Sequence, residues 1–293
     1  MFNDKKCFAS SEGNVYKYVF TKEEAVAETV LYKYESFQKR TVICCSVMSG
    51  CPVGCTFCGT GKQFISNLSG LEILQQIEEV IEDKGIVPEE CERFQIMFMS
   101  MGEPMLNWDS VESAIRYLNE LYPNAELLIS TIGVDNDAVF SKMIELSKDI
   151  DKVGLQFSIH KSNDTERDTL IPYKNKMSLQ KIRDAGIIWW NETGRKVYLN
   201  YCIDGKNDTE YDRQDLTTLF SPIIFNFTFS VVCSADESMK EKGFKELKVV
   251  NKFSDKFLED GYNVRVFNPA GQDDIGGGCG QLWYVQEWIK NNK

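Results

Sequence analysis

Two kinds of stretch alternate along most of this 293-residue chain: short runs rich in β-branched and aromatic residues, and longer runs whose apolar residues recur every three or four positions. The first pattern predicts strands and the second predicts amphipathic helices. From residue 41 onward the predicted strands are Thr41 to Met48, Arg93 to Met99, Ala125 to Thr131, Val153 to His160, Lys196 to Ile203, Ile223 to Val232 and Tyr262 to Phe267. The predicted helices between them are Leu71 to Lys84, Val111 to Tyr122, Ala138 to Lys148, Leu179 to Glu192, Asp212 to Leu219 and Met239 to Glu259.

Counted from Thr41, this pattern gives six βα units and one closing strand, which predicts a parallel sheet covered by helices. Six units are too few for a closed eight-stranded barrel, so a partial barrel is expected. Ahead of it, Val15 to Phe20 and Ala25 to Leu31 flank a polar turn and predict a short β-hairpin. We therefore expect an α/β protein in two parts, an N-terminal hairpin extension over residues 1–40 and a partial barrel over residues 41–293.

Three of the predicted helix ends carry local signals. Ser69 precedes Glu72 by three residues and Asp109 precedes Glu112 by three, and both spacings match a capping pattern. Gly194 follows a predicted helix, at a position where glycine commonly ends one. These signals predict helices that begin near residues 69 and 109 and one that ends at residue 194.

The formal net charge of −11 opposes long-range attraction of phosphate polymers, so a nucleic-acid role needs a local basic patch. The candidate patch follows the fourth predicted strand and contains Lys161, Lys174, Lys176, Lys181 and Arg183. A solvated helix face is the alternative interpretation of these residues. The chain has no apolar run of roughly 18 residues and no apolar leader segment, which predicts a cytoplasmic protein without membrane contact.

Cysteine is the main reactive residue type in this sequence. With His160 as the one histidine, the chain cannot build a two-histidine zinc site, and a Ser-His triad would depend on that residue. Ten cysteines without a secretion signal are better explained as metal ligands or redox catalysts than as a disulfide framework. The chemistry of the protein is therefore expected at cysteine.

Three cysteines follow the first predicted barrel strand in the spacing C-x3-C-x2-C: Cys51, Cys55 and Cys58. A fully protein-ligated cubane iron–sulfur cluster has four cysteine ligands, so three ligands leave one iron open. An open coordination position is typical of catalytic metal sites. Nearby glycines suit a loop folded tightly around a bulky cluster. The residues alone also allow a zinc ion with a fourth ligand elsewhere, or three thiols without a shared role.

This motif, placed after the first strand of a partial barrel, resembles the signature of the radical S-adenosylmethionine (SAM) superfamily. The resemblance implies a [4Fe-4S] cluster on these three cysteines, whose open iron chelates the amino and carboxylate groups of SAM. The next predicted strand ends in Met99-Ser100-Met101-Gly102-Glu103-Pro104, which resembles the superfamily's GEP motif. There Gly102 and Glu103 would meet the SAM ammonium group. A carboxylate is also a suitable acceptor for a cation by its own chemistry.

Further segments resemble the RlmN/Cfr family of RNA adenine methylases. Cys44 lies seven residues before the first cluster cysteine, as in that family, and Ala27-Glu28-Thr29-Val30 resembles a segment that carries a catalytic acid, here Glu28. Cys279-Gly280-Gln281-Leu282 resembles a C-terminal loop whose cysteine carries a methyl group. Segments that resemble the SAM-lining parts of the family contain Ser130, Ser158, Ile159 and His160, and Asn226 occupies roughly the place of a further SAM contact.

The resemblance implies methylation of an sp2 carbon of adenine, carbon 2 or carbon 8, in ribosomal or transfer RNA. One SAM molecule would methylate the Cys279 thiolate, and a second would yield the radical that takes a hydrogen atom from the S-methyl group. The resulting methylene radical adds to adenine, Glu28 removes the ring proton, and Cys44 attacks the Cys279 sulfur to release the product and form a disulfide. A flavodoxin- or ferredoxin-like protein would supply electrons, and a thioredoxin-like protein would reduce the disulfide.

The sequence leaves several points open. Cys45 competes with Cys44, because both lie in a β-rich run where small buried cysteines are common. His160 is either a SAM contact or a core histidine. The family's helical accessory domain is expected to be absent, because only about forty residues precede the predicted barrel. The alternative functions are the same chemistry on a small nucleotide or another non-RNA substrate, or a non-catalytic iron–sulfur protein of the same fold.

Overall fold

The computed structural model describes residues 1–231, 239–267 and 275–276. Its strands are β1 (Asp4–Ala9), β2 (Val15–Lys22), β3 (Ala25–Tyr34), β4 (Arg40–Cys45), β5 (Met48–Gly50), β6 (Phe64–Asn67), β7 (Phe94–Phe98), β8 (Glu126–Thr131), β9 (Val153–Ser158), β10 (Val197–Ile203), β11 (Phe225–Val231) and β12 (Val264–Val266). Its α-helices are α1 (Gly70–Lys84), α2 (Trp108–Leu121), α3 (Asp137–Asp149), α4 (Asp164–Leu170), α5 (Leu179–Thr193), α6 (Glu210–Leu219) and α7 (Met239–Glu259). None of the helices within these residues combines the length and the apolar composition that a membrane crossing requires.

Ten strands form one sheet in the order β1-β2-β3-β4-β7-β8-β9-β10-β11-β12, and β5 pairs with β6 separately. From β4 to β12 all neighbouring strands of the large sheet are parallel, whereas β1 to β4 are antiparallel to one another. Helices connect each parallel strand to the next, which confirms the six predicted βα units and the closing strand. The chain is an α/β protein built on a parallel sheet, as the alternation of patterns predicted.

The N-terminal extension is larger than the predicted hairpin. A third strand, β1, pairs with β2 along its whole length, and β3 pairs with β4, with Val30 opposite Cys44. The prediction missed β1 because five of its six residues are exposed, so it lacks the alternation of a strand with one buried face. Residues 1–40 therefore continue the barrel sheet through backbone hydrogen bonds and are not a separate hairpin.

Local signals set two of the three helix ends that the sequence predicted. The Ser69 hydroxyl accepts from the Glu72 amide, and the Glu72 carboxylate accepts from the Ser69 amide, a capping box that starts α1 and is worth about 1 kcal/mol. Gly194 ends α5 in the left-handed conformation. The predicted cap at Asp109 is wrong, because a turn of 3-10 helix over Pro104–Asn107 runs directly into α2.

Alternate residues of each strand face opposite sides of the sheet. On the outer side, residues such as Ile96 and Phe227 pack with helix residues such as Ile77 in one apolar core. The inner side carries a smaller group, here called the inner apolar cluster: Val15, Val19, Val26, Val30, Tyr32, Val42, Cys44 and Met101. The outer core holds the fold together, and the inner side surrounds the space in which a site can be built.

The sheet curves until its two margins approach each other. The ring centroids of Tyr32 on β3 and Phe267, which follows β12, are 5.8 Å apart in an edge-to-face arrangement, although six strands separate β3 from β12 in the sheet. Ile275 also packs against the inner apolar cluster. The inner side is therefore the lumen of a partial barrel, and the parallel strands place their carboxyl ends at one rim.

Candidate active site

The cysteines of the C-x3-C-x2-C motif lie on one loop at the rim, between β5 and β6. These short strands pair antiparallel, and the Cys51 amide donates a 2.9 Å hydrogen bond to the Gln63 carbonyl, which closes the loop at its base. Gly50 has a φ of 76°, and a Cβ at this position would lie 2.0 Å from the Gln63 carbonyl oxygen. The loop can close in this way because Gly50 has no side chain.

The cysteine loop packs against the segment that follows β9. The Thr56 amide donates a 2.9 Å hydrogen bond to the carbonyl of Leu170, the last residue of α4. The rings of Phe57 and His160 meet edge to face, with their centroids 5.3 Å apart. These contacts fix the loop against two elements of the barrel, so the positions of its cysteines depend on the tertiary structure.

The donor set of this loop consists of three thiols, which suit an iron–sulfur cluster. Burial raises the pKa of Cys51 to about 12, and the charges of Glu103 and Cys58 act in the same direction. Within the described ranges, no group of three or more His, Cys, Asp or Glu side chains is gathered closely enough to hold a single metal ion. Three thiol donors on one rim loop are a suitable ligand set for a cubane with one open iron, and its positive charge would favour the thiolate forms.

The turn at Gly102-Glu103 lies in the segment after β7. Gly102 has a φ of 97°, a conformation that favours glycine. The buried Glu103 carboxylate accepts from the Met105 amide at 3.0 Å, from the Thr131 hydroxyl and from the Ile132 amide at 2.9 Å. Burial raises the pKa of Glu103 to about 7, although these hydrogen bonds lower it. Three of the roughly four acceptor positions of a carboxylate are occupied, which leaves one for a cationic ligand.

Two of the predicted SAM residues, Ser130 and Ser158, face the lumen on β8 and β9. The Ser130 hydroxyl accepts a 3.0 Å hydrogen bond from the Gln156 side chain, and Ser158 stands opposite Asn200 of β10. Ile159 instead belongs to the outer core, and its amide donates a 3.0 Å hydrogen bond to the Asn200 carbonyl. The Ile159 side chain is therefore unable to contact a ligand in the lumen, and only its backbone is available.

His160 follows β9 with a φ of 59°, which is uncommon for a residue other than glycine. The Cys202 amide donates to its Nδ1 at 3.2 Å, and the Asn207 side chain donates to its carbonyl oxygen at 2.8 Å. Because Nδ1 accepts a hydrogen bond, the proton of the neutral ring lies on Nε2. Burial lowers the pKa of His160 to about 3, and the charges of Arg167 and Lys161 lower it further. A neutral imidazole of this kind is suited to binding rather than to proton transfer.

Glu28 and Cys44 lie on the same side of the sheet. Cys44 stands opposite Val30, and Glu28 is two residues from Val30 along β3, so both side chains face the lumen. Burial raises the pKa of Cys44 to about 12. Cys45 faces the outer core, where its Sγ lies 3.6 Å from the Met97 carbonyl oxygen. Of the two adjacent cysteines, Cys44 is therefore the one that shares the lumen with Glu28.

The C-terminal segment reaches this part of the lumen. The Lys17 Nζ donates a 3.4 Å hydrogen bond to the carbonyl of Gly276, and the same Nζ lies 3.4 Å from Glu28 Oε2. Cys279, the predicted methyl carrier, lies outside the described residues. None of the eight cysteines that the structure describes is in a disulfide. In the C-terminal segment, the contact to the surroundings of Glu28 is therefore described at Gly276, three residues before Cys279.

Asn226 lies on the inner side of the sheet, in register with Ser130. It stands at the start of β11, opposite Tyr198 at the start of β10. Tyr198 stands opposite Gln156, and Gln156 stands opposite Ser130. Asn226 is buried, and its Oδ1 has no hydrogen-bond partner within the residues that the structure describes. A buried acceptor of this kind is available to a ligand, so Asn226 stays a predicted SAM contact.

Comparisons with known proteins agree with this geometry. The sequence profile of the radical SAM superfamily matches residues 45–213. A probable dual-specificity RNA methyltransferase RlmN from Dictyoglomus thermophilum is 30% identical over 280 residues, which cover 93% of this chain and 77% of that protein. The chain belongs to the RlmN family of radical SAM methyltransferases. The RlmN of Dictyoglomus turgidum is 28% identical over 284 residues, with the same two coverages. The solved structure of a radical SAM methyltransferase from Sphaerobacter thermophilus has a TM-score of 0.79 and 25% identity, and the match covers 96% of this chain and 80% of that one.

Membership of the RlmN family identifies the protein as an enzyme and gives its cofactors. They are a [4Fe-4S] cluster and SAM. The thiol loop follows β4 by way of the short strand β5, and the Gly102-Glu103 turn follows β7, which pairs with β4. The carboxyl ends of neighbouring parallel strands meet at one rim. A candidate cluster ligand set and a candidate acceptor for the SAM ammonium are therefore adjacent in this RlmN-family enzyme.

The basic patch predicted after the fourth barrel strand is largely compensated by carboxylates. Four of its five residues form ion pairs, namely Lys161 with Asp204, Lys176 with Asp168, Lys181 with Asp135 and Arg183 with Asp184. Lys174 is exposed. Paired charges attract a phosphate backbone less than free ones, so this surface of the RlmN-family chain is a weaker cationic rim than the sequence predicted.

Two buried cations near the site were not predicted from the sequence. Lys17 interrupts an inward-facing series of valines, Val15 and Val19, and this interruption was the available signal. Arg167 is fully buried, and its guanidinium donates to the carbonyls of Met177 at 2.7 Å and Ile132 at 2.6 Å. No sequence signal pointed to Arg167, because α4 is otherwise polar and its burial comes from tertiary packing.

Proposed function

We propose that this enzyme methylates an sp2 carbon of adenine, carbon 2 or carbon 8, in RNA, with Cys279 as the carrier of the methyl group. The observation that carries the proposal is the position of Glu28 and Cys44, a carboxylate and a thiol that face one lumen beside the chain at Gly276. RNA is the proposed substrate because the relatives are named RNA methyltransferases. Ribosomal and transfer RNA are the two classes to test.

A radical route suits this target, because carbons 2 and 8 of adenine belong to an electron-poor ring to which transfer of a methyl cation is unfavourable. When bound, the cluster and SAM supply an activated methyl group and a 5′-deoxyadenosyl radical. The proposed cluster ligands are Cys51, Cys55 and Cys58. The proposed SAM contacts are Gly102, Glu103, Ser130, Ser158, the backbone of Ile159, His160 and Asn226.

Each proposed SAM contact has chemistry that matches one part of the ligand. The remaining acceptor position of Glu103 suits the ammonium group. The Nε2 proton of neutral His160 suits an acceptor atom of the ligand, because its Nδ1 is already occupied. Glu103 follows β7 and His160 follows β9. The hydroxyls of Ser130 on β8 and Ser158 on β9 face the lumen beside these two residues. Together these groups would hold SAM along the rim.

The cysteines and Glu28 divide the transfer into steps on protein side chains. The Cys279 thiolate first accepts a methyl group. The radical then takes one hydrogen atom from this S-methyl group, and the resulting methylene forms a bond to the adenine carbon. Glu28 takes the proton from that ring carbon, and the unpaired electron of the adduct would return to the oxidised cluster. The Cys44 sulfur attacks the Cys279 sulfur and its proton passes to the departing methylene, so the sulfur–methylene bond breaks, a Cys44–Cys279 disulfide forms and the methylated base is released.

Two observations support these roles. Cys279 is three residues beyond Gly276, and three residues span at most about 11 Å, so chain length allows its thiol to reach the lumen that Lys17 and Glu28 line. Burial also raises the pKa of Cys44 to about 12, so this residue is held as a thiol at neutral pH. The resolving cysteine is thereby kept unreactive until the adduct is in place.

The proposed cycle requires two protein partners. A flavodoxin- or ferredoxin-like donor delivers the electron that starts SAM cleavage, and a thioredoxin-like protein reduces the Cys44–Cys279 disulfide after each turnover. Both requirements favour a reducing compartment, and we propose a cytoplasmic location.

The experiment that tests the proposal is anaerobic reconstitution with iron, sulfide, SAM and a strong reductant, followed by incubation with ribosomal or transfer RNA. Nucleoside mass spectrometry should detect methyladenosine, and the tryptic peptide with Cys279 should gain the mass of one methyl group. Cys279→Ala should abolish RNA methylation and still release 5′-deoxyadenosine. Cys7→Ala, which changes an exposed cysteine on β1, should behave as wild type. Unchanged methylation in Cys279→Ala would refute the scheme.

A small nucleotide is the second candidate substrate. The observation in its favour is the carboxylate pairing of Lys161, Lys176, Lys181 and Arg183, together with the net charge of −11. RNA affinity should fall steeply as salt rises, whereas affinity for one nucleotide should change little. Binding titrations of both ligands at two salt concentrations separate the two candidates.

A further inference from the structure

Lys17 is a buried cation that contacts both Glu28 and the C-terminal segment. Its Nζ lies 3.4 Å from Glu28 Oε2, and the two side chains are 6% and 0% exposed. The same Nζ donates a 3.4 Å hydrogen bond to the Gly276 carbonyl. One ammonium group therefore joins β2, β3 and a segment that is more than 250 residues away in the chain.

A lysine at this place is costly for the fold alone. Its neighbours on the inner face of β2 are Val15 and Val19, which belong to the inner apolar cluster. Burying an ion pair costs more desolvation than its attraction commonly returns, and apolar residues of similar volume often stabilise such a position equally well. Apart from the Phe8 ring, whose centroid is 5.9 Å from Nζ, packing gives no reason for a charge here, whereas the carboxylate of Glu28 and the carbonyl of Gly276 do.

We propose that Lys17 is a positioning residue for the methyl transfer: it holds the Glu28 carboxylate ionised and aimed into the lumen, and it anchors the C-terminal segment at Gly276. This inference rests on the proposed role of Glu28 as the base that takes the adenine ring proton. A carboxylate in an apolar environment loses its charge readily unless a cation is close. A base must be ionised to accept a proton, so the nearby ammonium supports the proton transfer without touching the substrate.

The first test compares Lys17→Met, Lys17→Arg and wild type. Lys17→Met keeps the length of the side chain and removes its charge, so the rate of RNA methylation at neutral pH should fall about tenfold or more. The acidic limb of its pH–rate profile should move upward by about one pH unit or more, because the carboxylate then ionises less readily. Lys17→Arg should retain most of the rate and the original profile. Release of 5′-deoxyadenosine should be unchanged in both variants.

The matched control is Lys5→Met on the neighbouring strand β1. Lys5 Nζ lies 3.1 Å from Glu79 Oε2, but both side chains of this pair are partly exposed and lie outside the proposed site. The control variant should retain the wild-type rate and pH profile. If it changed them as much as Lys17→Met, the effect of Lys17 would be a general consequence of losing a lysine ion pair, and the inference would be overturned.

A double-variant cycle separates positioning from a structural role. If Lys17 acts through Glu28, then adding Lys17→Met to Glu28→Gln should cause no further loss of methylation. The double variant also leaves no unpaired buried charge, so it should fold even if Lys17→Met alone does not. An additional loss in the Glu28→Gln background would show that Lys17 works independently of the carboxylate and would overturn its positioning role.

The anchoring role is tested by hydrogen exchange of the peptide that contains Ile275 and Gly276. In Lys17→Met this peptide should exchange about tenfold faster than in wild type, with no change in Lys5→Met. Equal exchange rates would overturn the anchor. This measurement needs no RNA, so it decides the anchor even if wild-type enzyme methylates no RNA, an outcome that would overturn the proposed function instead.

Discussion

The Glu103 carboxylate accepts a 2.9 Å hydrogen bond from the backbone amide of Ile132, and this contact joins the turn after β7 to the segment after β8. The Thr131 hydroxyl donates to the other oxygen of the same carboxylate. Burial raises the pKa of Glu103 to about 7, so both of its protonation states are populated at neutral pH. A residue that connects two rim segments is thus also a group whose charge changes near physiological pH.

Affinity for SAM should increase with pH between about 6 and 8. Glu103 gains its negative charge as the pH rises through its pKa of about 7, and SAM carries a cationic ammonium group. With a pKa of 7, the ionised fraction increases about tenfold across this range, so the dissociation constant should fall by up to about tenfold. His160, with its pKa of about 3, stays neutral throughout and contributes nothing to this change.

Anaerobic calorimetry of SAM binding at several pH values checks this prediction. Glu103→Gln removes the titrating group, and its SAM affinity should be lower and independent of pH in the same range. A pH dependence equal to that of wild type would assign the effect to another group.

Gly102→Ala should be much more destabilising than Gly85→Ala. Both glycines have a positive φ, but a Cβ on Gly102 would lie 2.6 Å from the Met48 Cβ and 2.9 Å from its backbone nitrogen, whereas a Cβ on Gly85 has nothing within 4 Å. The left-handed conformation alone costs about 1 kcal/mol, and overpacking adds about 1–3 kcal/mol. Urea unfolding of the two apo variants measures the difference. Equal free energies of unfolding would mean that the turn moves to accept a side chain.

Cys44→Ala should impair function, whereas Cys45→Ala should impair stability. Cys44 faces the lumen and Cys45 faces the outer core. Cys44→Ala should stop product release, so a covalent adduct between RNA and protein should accumulate and appear on a denaturing gel. Cys45→Ala should methylate RNA at nearly the wild-type rate and lose about 1 kcal/mol of stability from a small cavity. Adduct accumulation in Cys45→Ala instead would reverse the two assignments.

Arg167→Met should destabilise the enzyme more than a surface arginine variant. The buried guanidinium donates to the carbonyls of Met177 and Ile132, and burial lowers its pKa to about 10, so it is charged at neutral pH. Removing it leaves two buried carbonyls without these donors, at a cost of about 1–3 kcal/mol for each. Arg183→Met, at a partly exposed ion pair with Asp184, should cost less than about 1 kcal/mol. Urea unfolding of both variants measures the contrast.

The sequence determined those parts of the structure that depend on neighbouring residues. The periodicity of apolar positions placed six βα units correctly, because each helix or strand buries one face whatever its partner is. The capping box at Ser69 and Glu72 and the end of α5 at Gly194 were predicted for the same reason, since a cap is made within one turn. The spacing of Cys51, Cys55 and Cys58 on one loop is likewise a property of a short segment.

The tertiary structure decided which distant residues meet. Strand β1 was missed because its pairing with β2 leaves most of its residues exposed. The register of β3 against β4 put Cys44, rather than Cys45, in the lumen with Glu28, and a shift of one residue would have reversed this. The curvature of the sheet brought Lys17 to Gly276. Periodicity and local turns depend on neighbouring residues, so they can be predicted from the sequence. Burial of a charge beside its partner depends on packing between segments that are far apart in the chain. A local pattern carries no information about such packing.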